Sequence, residues 1–182
     1  MPSSHDYIKD KRNKNIKIFV NYKFYTRDKA KVSVFDSGFL LGDGVWSGIR
    51  YHNNKFLFLK DHLTRLFDDA KKIDLKIDLS KKEITKILAD TIKVNRMKTD
   101  VHLRLVVSRG IKSTPYQDPA FTISKPTIVV IPEYKQPQES VYKKGLILKT
   151  VKTIRGPHNV QDPRINSLSK LNCIIACIEA KK

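Results

Sequence analysis

The stretch VHLRLVVSRG, residues 101–110, does most to limit what this chain can fold into, because apolar and polar side chains alternate along it. The apolar members are Val101, Leu103, Leu105 and Val107, and the alternate positions include His102, Arg104 and Ser108. Successive side chains of a β-strand point to opposite faces of a sheet. The pattern therefore predicts a strand in a sheet that has one face against a core.

Other stretches predict the partners of that strand. A buried strand is expected from TIVVIP, and a hairpin from GVWSGIRYHNNKFLFL, in which Asn53 and Asn54 tolerate positive φ. IKIFVNYKFY is strand-like with a turn at Asn21–Lys23, and KVSVFD predicts a further short strand. In chain order these segments are 16–25, 31–36, 44–59 and 127–132.

Two amphipathic helices are predicted between the hairpin and the alternating strand. From about Lys60 to Asp74, apolar residues recur every three or four positions on one face. The second helix is expected to begin after Ser80, an N-cap residue, with Glu83 completing a capping box. Helices packed on a mostly antiparallel sheet give the fold class α+β.

The chain divides into four predicted parts. They are a basic tail (1–15), a small amino-terminal α+β domain (16–131), an interdomain linker (132–140) and the start of a second, β-rich domain (141–182). We expect this last part to open with a strand, GLILKTVKTIR, and to close with an amphipathic helix over 164–182. About forty residues of a β-rich domain cannot bury their own core. The sequence therefore predicts a truncated chain or one half of a split pair.

The net charge of +18 raises the question of an anionic partner. The lysines are scattered, however, and the dense run from Lys9 to Lys17 lies mostly in the predicted tail. Aromatic residues do not interleave with basic ones as a base-stacking platform requires. The composition therefore disfavours nucleic acid as a partner, although steeply salt-dependent binding to duplex DNA would support it.

Membrane and metal partners are not indicated either. No apolar run is long enough to cross a bilayer, and the amino terminus lacks the apolar stretch of a signal peptide, so we expect a cytoplasmic protein. Cys173 and Cys177 are spaced for neither a zinc site nor a disulfide framework, which predicts reduced thiols and no metal site. The proline-rich segment 111–126 is long for a loop and is a candidate binding loop.

Three segments together resemble the class IV (fold type IV) pyridoxal-phosphate enzymes, nearest the branched-chain amino acid aminotransferases. They are VSVFDSGFLLGDGVWSGIRYHNNKFLFLKDHLTRLFDDAKKI, HLRLVVSRG and INSLSKLNCIIACIEA. The resemblance implies a D-amino acid aminotransferase-like fold, pyridoxal 5'-phosphate as cofactor and a homodimer. It also implies transamination between a branched-chain-like α-amino acid and a 2-oxo acid. Two alternatives stay open: a lyase of the aminodeoxychorismate lyase type, which would release pyruvate without an amino acceptor, and a non-catalytic remnant.

The resemblance also implies roles for two arginines. Arg65 matches the arginine of the family's His-Leu-x-Arg-Leu motif, which binds the cofactor phosphate. A guanidinium suits that role because its planar donors match phosphate oxygens; the alternative is an ion pair with Asp68 or Asp69 along the helix. Arg104 stands where the family often places an arginine near the substrate carboxylate. Ser47 departs from the glutamate that many branched-chain enzymes carry.

The resemblance implies a catalytic lysine, and this sequence does not carry a lysine at the expected position. The family uses a lysine amine to form a Schiff base with the cofactor aldehyde and to move the α-proton. The resemblance puts Asn166 at that position, and an amide cannot replace an amine. Lys170 lies four residues later, and a helical side chain leans toward the amino terminus, so its amine can reach back over residue 166. Lys170 is therefore the candidate catalytic residue, with an exposed helix lysine as the alternative.

Overall fold

A computed structural model describes residues 10–136 and 138–182, and the fold is α+β, as the sequence predicts. Six antiparallel strands form one sheet in this part of the chain, in the order β2-β1-β6-β5-β3-β4. The strands are β1 (Lys17–Val20), β2 (Lys23–Thr26), β3 (Gly44–His52), β4 (Lys55–Phe56), β5 (Val101–Ser108) and β6 (Thr127–Tyr134). No helix in the described residues is long and apolar enough to cross a membrane.

Helices cover one face of this sheet. The helices are α1 (Ser37–Leu41), α2 (Leu59–Lys72), α3 (Lys81–Val94), α4 (Glu139–Lys144) and α5 (Leu171–Lys181), with short 3₁₀ helices at Lys11–Asn15 and Pro119–Phe121. α2 packs on β3, and α3 packs on β1 and β6. The sequence-predicted capping box at the start of α3 is confirmed: Ser80 accepts from the Glu83 amide, and the Glu83 carboxylate accepts from the Ser80 amide.

The alternation predicted for 101–108 is confirmed. Val101, Leu103, Leu105 and Val107 are fully buried against the helices. Arg104 is exposed on the other side, opposite Gly48 of β3 and Ile131 of β6. This second side is called the outer face below. Both predicted hairpins also form, with positive φ at Asn21 and Tyr22 and at Asn53 and Asn54.

Two predicted strands are wrong. Residues 31–36 form a turn with a single bridge from Asp36 to Ile111, because the Asp36 carboxylate instead accepts from the Gly38 amide and caps α1. Residues 145–155 contain no strand, although their apolar side chains fit one. A strand needs a neighbouring strand for its backbone groups, but the Lys152 and Thr153 amides donate instead to the Glu179 carboxylate of α5.

Some predicted boundaries also shift. β6 continues to Tyr134, beyond the predicted domain end at 131, and α4 begins within the predicted linker. Within the predicted tail, Asn13 is buried and bonds both backbone groups of Tyr134, while residues 1–9 lie outside the described range. The closing helix begins at Leu171 rather than 164. The division into two domains stays a prediction.

Candidate active site

The segment 166–168 is held against the edge of β3. The Trp46 amide donates to the Asn166 carbonyl at 3.0 Å, and the Leu168 amide donates to the Gly44 carbonyl at 2.9 Å. Ser167 forms an antiparallel bridge with Val45. Because β4 pairs only with Tyr51 and His52 at the far end of β3, this edge is open to the segment.

Glycines make room for this contact. A Cβ at Gly44 would lie 2.5 Å from the Val107 carbonyl oxygen and 2.7 Å from Leu168 Cδ1, closer than side-chain atoms tolerate. Gly42 ends α1 in the left-handed region, at φ 68°, where its missing side chain would meet the Ser169 backbone at 3.1 Å. These glycines therefore permit a close backbone approach, and the approaching partner is the segment that precedes α5.

Asn166 is fixed on three sides. Its side-chain amide donates to the Trp46 carbonyl at 2.9 Å, and its backbone amide donates to the buried Asp69 carboxylate of α2 at 3.1 Å. Its side-chain oxygen accepts from Lys170 Nζ at 3.1 Å. Sequence spacing suggested Asp69 only as a partner of Arg65 and not of Asn166, although an acid on the buried stripe of an amphipathic helix is a signal that a buried partner exists.

Lys170 is the residue just before α5, and its side chain is half-buried. Asn166 is not helical, so the assumption that one helix carries both residues is wrong. The lysine nevertheless reaches back to Asn166, as the hydrogen bond shows, and Nζ lies 5.6 Å from the centre of the Trp46 ring. The amine is therefore held at a defined place beside Asn166, the residue that the sequence resemblance aligns with the lysine of the family.

Arg104 approaches the same indole from β5. Its Cζ lies 4.1 Å from the centre of the Trp46 ring, a cation–π contact. In the part of the chain that the structure describes, Arg104 pairs with no carboxylate. Arg104 also lines a cleft of about 350 Å³ on the outer face, whose apolar wall includes Ile18 and Ile131. The rest of the cleft is lined by Arg27, His102, Glu133 and Lys135. The geometry thus offers a guanidinium in a cleft of mixed polarity with one apolar side.

Arg65 lies on the exposed side of α2, one turn before Asp69. The alternative ion pair does not form: Asp69 lies 3.7 Å from Lys72 Nζ, and Arg65 pairs with neither Asp68 nor Asp69 among the described residues. One Arg65 nitrogen lies 3.5 Å from His62 Nδ1. The Arg65 guanidinium is exposed and without an acidic partner in the described chain, as a phosphate-binding group requires.

Ser47 and His62 connect β3 to α2 beneath these groups. Ser47 is fully buried, and its Oγ lies 3.2 Å from His62 Nδ1. Burial lowers the pKa of His62, and the neighbouring Arg65 cation lowers the same pKa further. The imidazole is therefore neutral at physiological pH, so it does not add a second cation beside Arg65.

Comparisons with known proteins identify the family of this chain. A sequence model of the family Amino-transferase class IV matches residues 44–182. A protein of Methanocaldococcus jannaschii, named "Putative branched-chain-amino-acid aminotransferase", is 39% identical over 165 residues, which are 91% of this chain and 56% of that protein. The present chain thus spans about half the length of this relative.

Solved structures show the same fold. The chain resembles a T.th. branched-chain amino acid aminotransferase complexed with N-(5'-phosphopyridoxyl)-L-glutamate, with a TM-score of 0.81 and 23% identity over 92% of this chain and 55% of that one. The branched-chain aminotransferase of Thermoproteus uzoniensis with norvaline gives a TM-score of 0.74 and 24% identity over 92% and 56% of the two chains. The chain belongs to the class IV aminotransferase family, whose cofactor is pyridoxal 5'-phosphate.

Proposed function

We propose that this chain takes part in transamination between a branched-chain-like α-amino acid and a 2-oxo acid, with Lys170 as its catalytic amine. The observation that carries the proposal is the hydrogen bond from Lys170 Nζ to Asn166 Oδ1, at 3.1 Å. It holds a primary amine next to Asn166, which supports the proposal that Lys170 replaces the lysine expected there. The names of the relatives support the substrate class, because they include branched-chain aminotransferases of several organisms.

The described residues fit pyridoxal 5'-phosphate. Arg65 offers an exposed guanidinium for the phosphate, and Lys170 offers a half-buried amine whose orientation Asn166 fixes. When bound, the cofactor supplies an aldehyde and an electron-withdrawing ring.

We assign substrate binding and proton transfer to residues of this chain. Arg104 binds the substrate carboxylate, and Ile18 and Ile131, the apolar side of the cleft that Arg104 lines, contact an aliphatic side chain. Lys170 Nζ moves the proton at the substrate α-carbon. Because the chain spans about half the length of its relatives, the complete set of groups around substrate and cofactor, and the expected homodimer, remain proposals.

An amino-transfer assay with matched lysine variants tests the proposal. The 182-residue chain is incubated with pyridoxal 5'-phosphate, leucine and 2-oxoglutarate, and glutamate formation is measured. We expect transfer by the wild type, at least a hundredfold loss in Lys170→Met, and no loss in Lys144→Met, which removes an exposed lysine of α4. Equal rates in wild type and Lys170→Met, or no transfer by the wild type, would contradict the proposal.

A second candidate, cofactor binding without amine chemistry, is favoured by Asn166 at the motif position. In that case Arg65→Gln weakens binding of pyridoxal 5'-phosphate. Lys170→Met binds the cofactor as the wild type does, and neither protein transfers an amino group. Pyruvate release without any 2-oxo acid acceptor would instead indicate the lyase.

A further inference from the structure

We propose that a second pocket, at the far end of β3, binds a small aromatic carboxylate. The pocket has a volume of about 430 Å³ and lies between the β3–β4 hairpin and the end of α3. Its floor is apolar, with Tyr51, Phe56, Ile92 and Met97, and its rim carries Lys93, Arg96 and Lys98. This group of residues is called the hairpin pocket. The proposal is independent of the proposed transamination.

The hairpin pocket is separate from the candidate active site. The active-site contacts involve Gly44 and Trp46 at the start of β3, whereas the pocket begins at Tyr51 near its end. Tyr51 lies five residue steps along the extended strand from Trp46, roughly 17 Å at the usual rise. A ligand in the hairpin pocket therefore does not compete with Lys170, Arg104 or Arg65 for space.

The floor suits an aromatic ring. Tyr51 and Phe56 face each other across the hairpin with ring centres 4.8 Å apart and planes tilted by 60°. Ile92 and Met97 are almost fully buried beneath them, which gives the pocket a fixed apolar base. Aromatic rings prefer tilted or offset contacts with other rings. A ligand ring on this floor continues an arrangement that the protein already contains.

The positive charge of the pocket rim favours an anionic ligand. In the described part of the chain, no carboxylate lines the pocket or pairs with Lys93, Arg96 or Lys98. Three cations around one apolar floor repel each other, and a bound carboxylate relieves that repulsion while its ring stays on the floor. Charge complementarity therefore selects an anionic head group on an apolar body over a neutral or cationic ligand.

The end of α3 does not oppose an anion here. Carbonyl groups at a helix carboxyl terminus carry partial negative charge. Three carbonyls of the last turn of α3 are occupied: Thr91 accepts from the Asn95 side chain, Ile92 accepts from the Met97 amide, and Lys93 accepts from the Arg96 amide. Because these carbonyls already accept hydrogen bonds within the protein, the side-chain cations contribute most of the charge at the rim.

Methionine NMR offers a direct test, because the sequence contains two methionines and Met97 lies in the pocket floor. The chain is labelled with methyl-¹³C methionine and titrated with 4-phenylbutyrate, without cofactor. We expect a saturable shift of the Met97 methyl signal and no shift of the Met1 signal. The neutral analogue 4-phenylbutanol, which has the same body, should bind at least tenfold more weakly.

Charge variants complete the test. Arg96→Gln and Lys98→Gln should each weaken 4-phenylbutyrate binding about tenfold, whereas Lys82→Gln, an exposed lysine at the start of α3, should leave it unchanged. An unchanged Met97 signal in each ligand-free variant shows that the floor has kept its structure. The proposal would be overturned if 4-phenylbutyrate and 4-phenylbutanol bound with equal affinity, or if the Met97 signal did not shift. It would also be overturned if neither Arg96→Gln nor Lys98→Gln weakened binding. Loss of amino transfer with selective 4-phenylbutyrate binding would contradict the proposed function alone.

Discussion

The sheet region and the carboxyl-terminal segment differ sharply in how they are held. The buried apolar side chains of the described chain all lie between Ile16 and Pro132. In 138–182 the one buried residue is Ser167, which bridges to β3, while α5 exposes Leu171, Ile174, Ile175 and Ile178. The candidate catalytic lysine therefore belongs to a segment without a core of its own, and the sheet edge fixes its position.

The largest expected contrast compares a core truncation with a helix-surface truncation. Leu105→Ala removes a fully buried side chain and should lower the free energy of unfolding by about 2–5 kcal/mol. Ile175→Ala, on the exposed face of α5, should change it by less than about 0.5 kcal/mol. Urea denaturation of both variants measures the difference. A similar loss of unfolding free energy in both variants would show that α5 packs on a core, contrary to the difference described between the two regions.

A smaller effect is expected where the two regions touch. Gly44→Ala puts a Cβ against the Val107 carbonyl and Leu168, so the sheet or the docked segment must shift, at about 1–3 kcal/mol. Hydrogen exchange at the Trp46 and Leu168 amides should accelerate in this variant. Gly156→Ala is the matched control, since its Cβ meets only Val160 at 3.7 Å. Unchanged exchange in Gly44→Ala would mean that the glycine does not create the docking site.

Helix capping gives a third contrast. Ser80→Ala breaks the capping box of α3 and should cost about 1 kcal/mol by urea denaturation. Gln138→Ala, at the N-cap of α4, should have little effect because that side chain makes no cap hydrogen bond. A loss in Gln138→Ala as large as that in Ser80→Ala would show that α4 contributes to stability as the sheet-packed helices do.

The smallest predicted effect is a pH dependence in the sheet region. Burial lowers the pKa of folded His62, so on acidification the unfolded chain takes up the proton first. The free energy of unfolding should therefore fall as pH drops below about 6.5, until the folded pKa is passed. His62→Gln should remove this component from urea midpoints measured between about pH 5 and 7.5. A urea midpoint that rises on acidification in the wild type but not in His62→Gln would contradict a lowered pKa of folded His62.

Local patterns predicted much of the sheet region. The capping box, both hairpins and the alternation of β5 depend on neighbouring residues, and sequence spacing displays these relations. The strand expected at 145–155 failed because strand formation depends on a partner, which spacing does not display. An apolar run such as 146–148 is equally compatible with an unpaired, exposed segment.

The sequence named the individual residues of the candidate site, but not the contacts that hold Asn166 in place. Lys170 was expected to reach Asn166, and the hydrogen bond shows that it does. The contacts of Asn166 with Trp46 and Asp69 join residues about a hundred positions apart, so no local spacing could reveal them. The predicted continuous helix over 164–182 failed because residues 166–168 bond to the edge of β3 instead of to the following turn.

The central claim is that Lys170 supplies the amine that Asn166 cannot. The chain is incubated with pyridoxal 5'-phosphate and reduced with borohydride, and the phosphopyridoxyl label is located by mass spectrometry of peptides. We expect one dominant label on Lys170, lost in Lys170→Met and retained in Lys144→Met. Dominant label on another lysine, or no label above that of the unfolded chain, would contradict it.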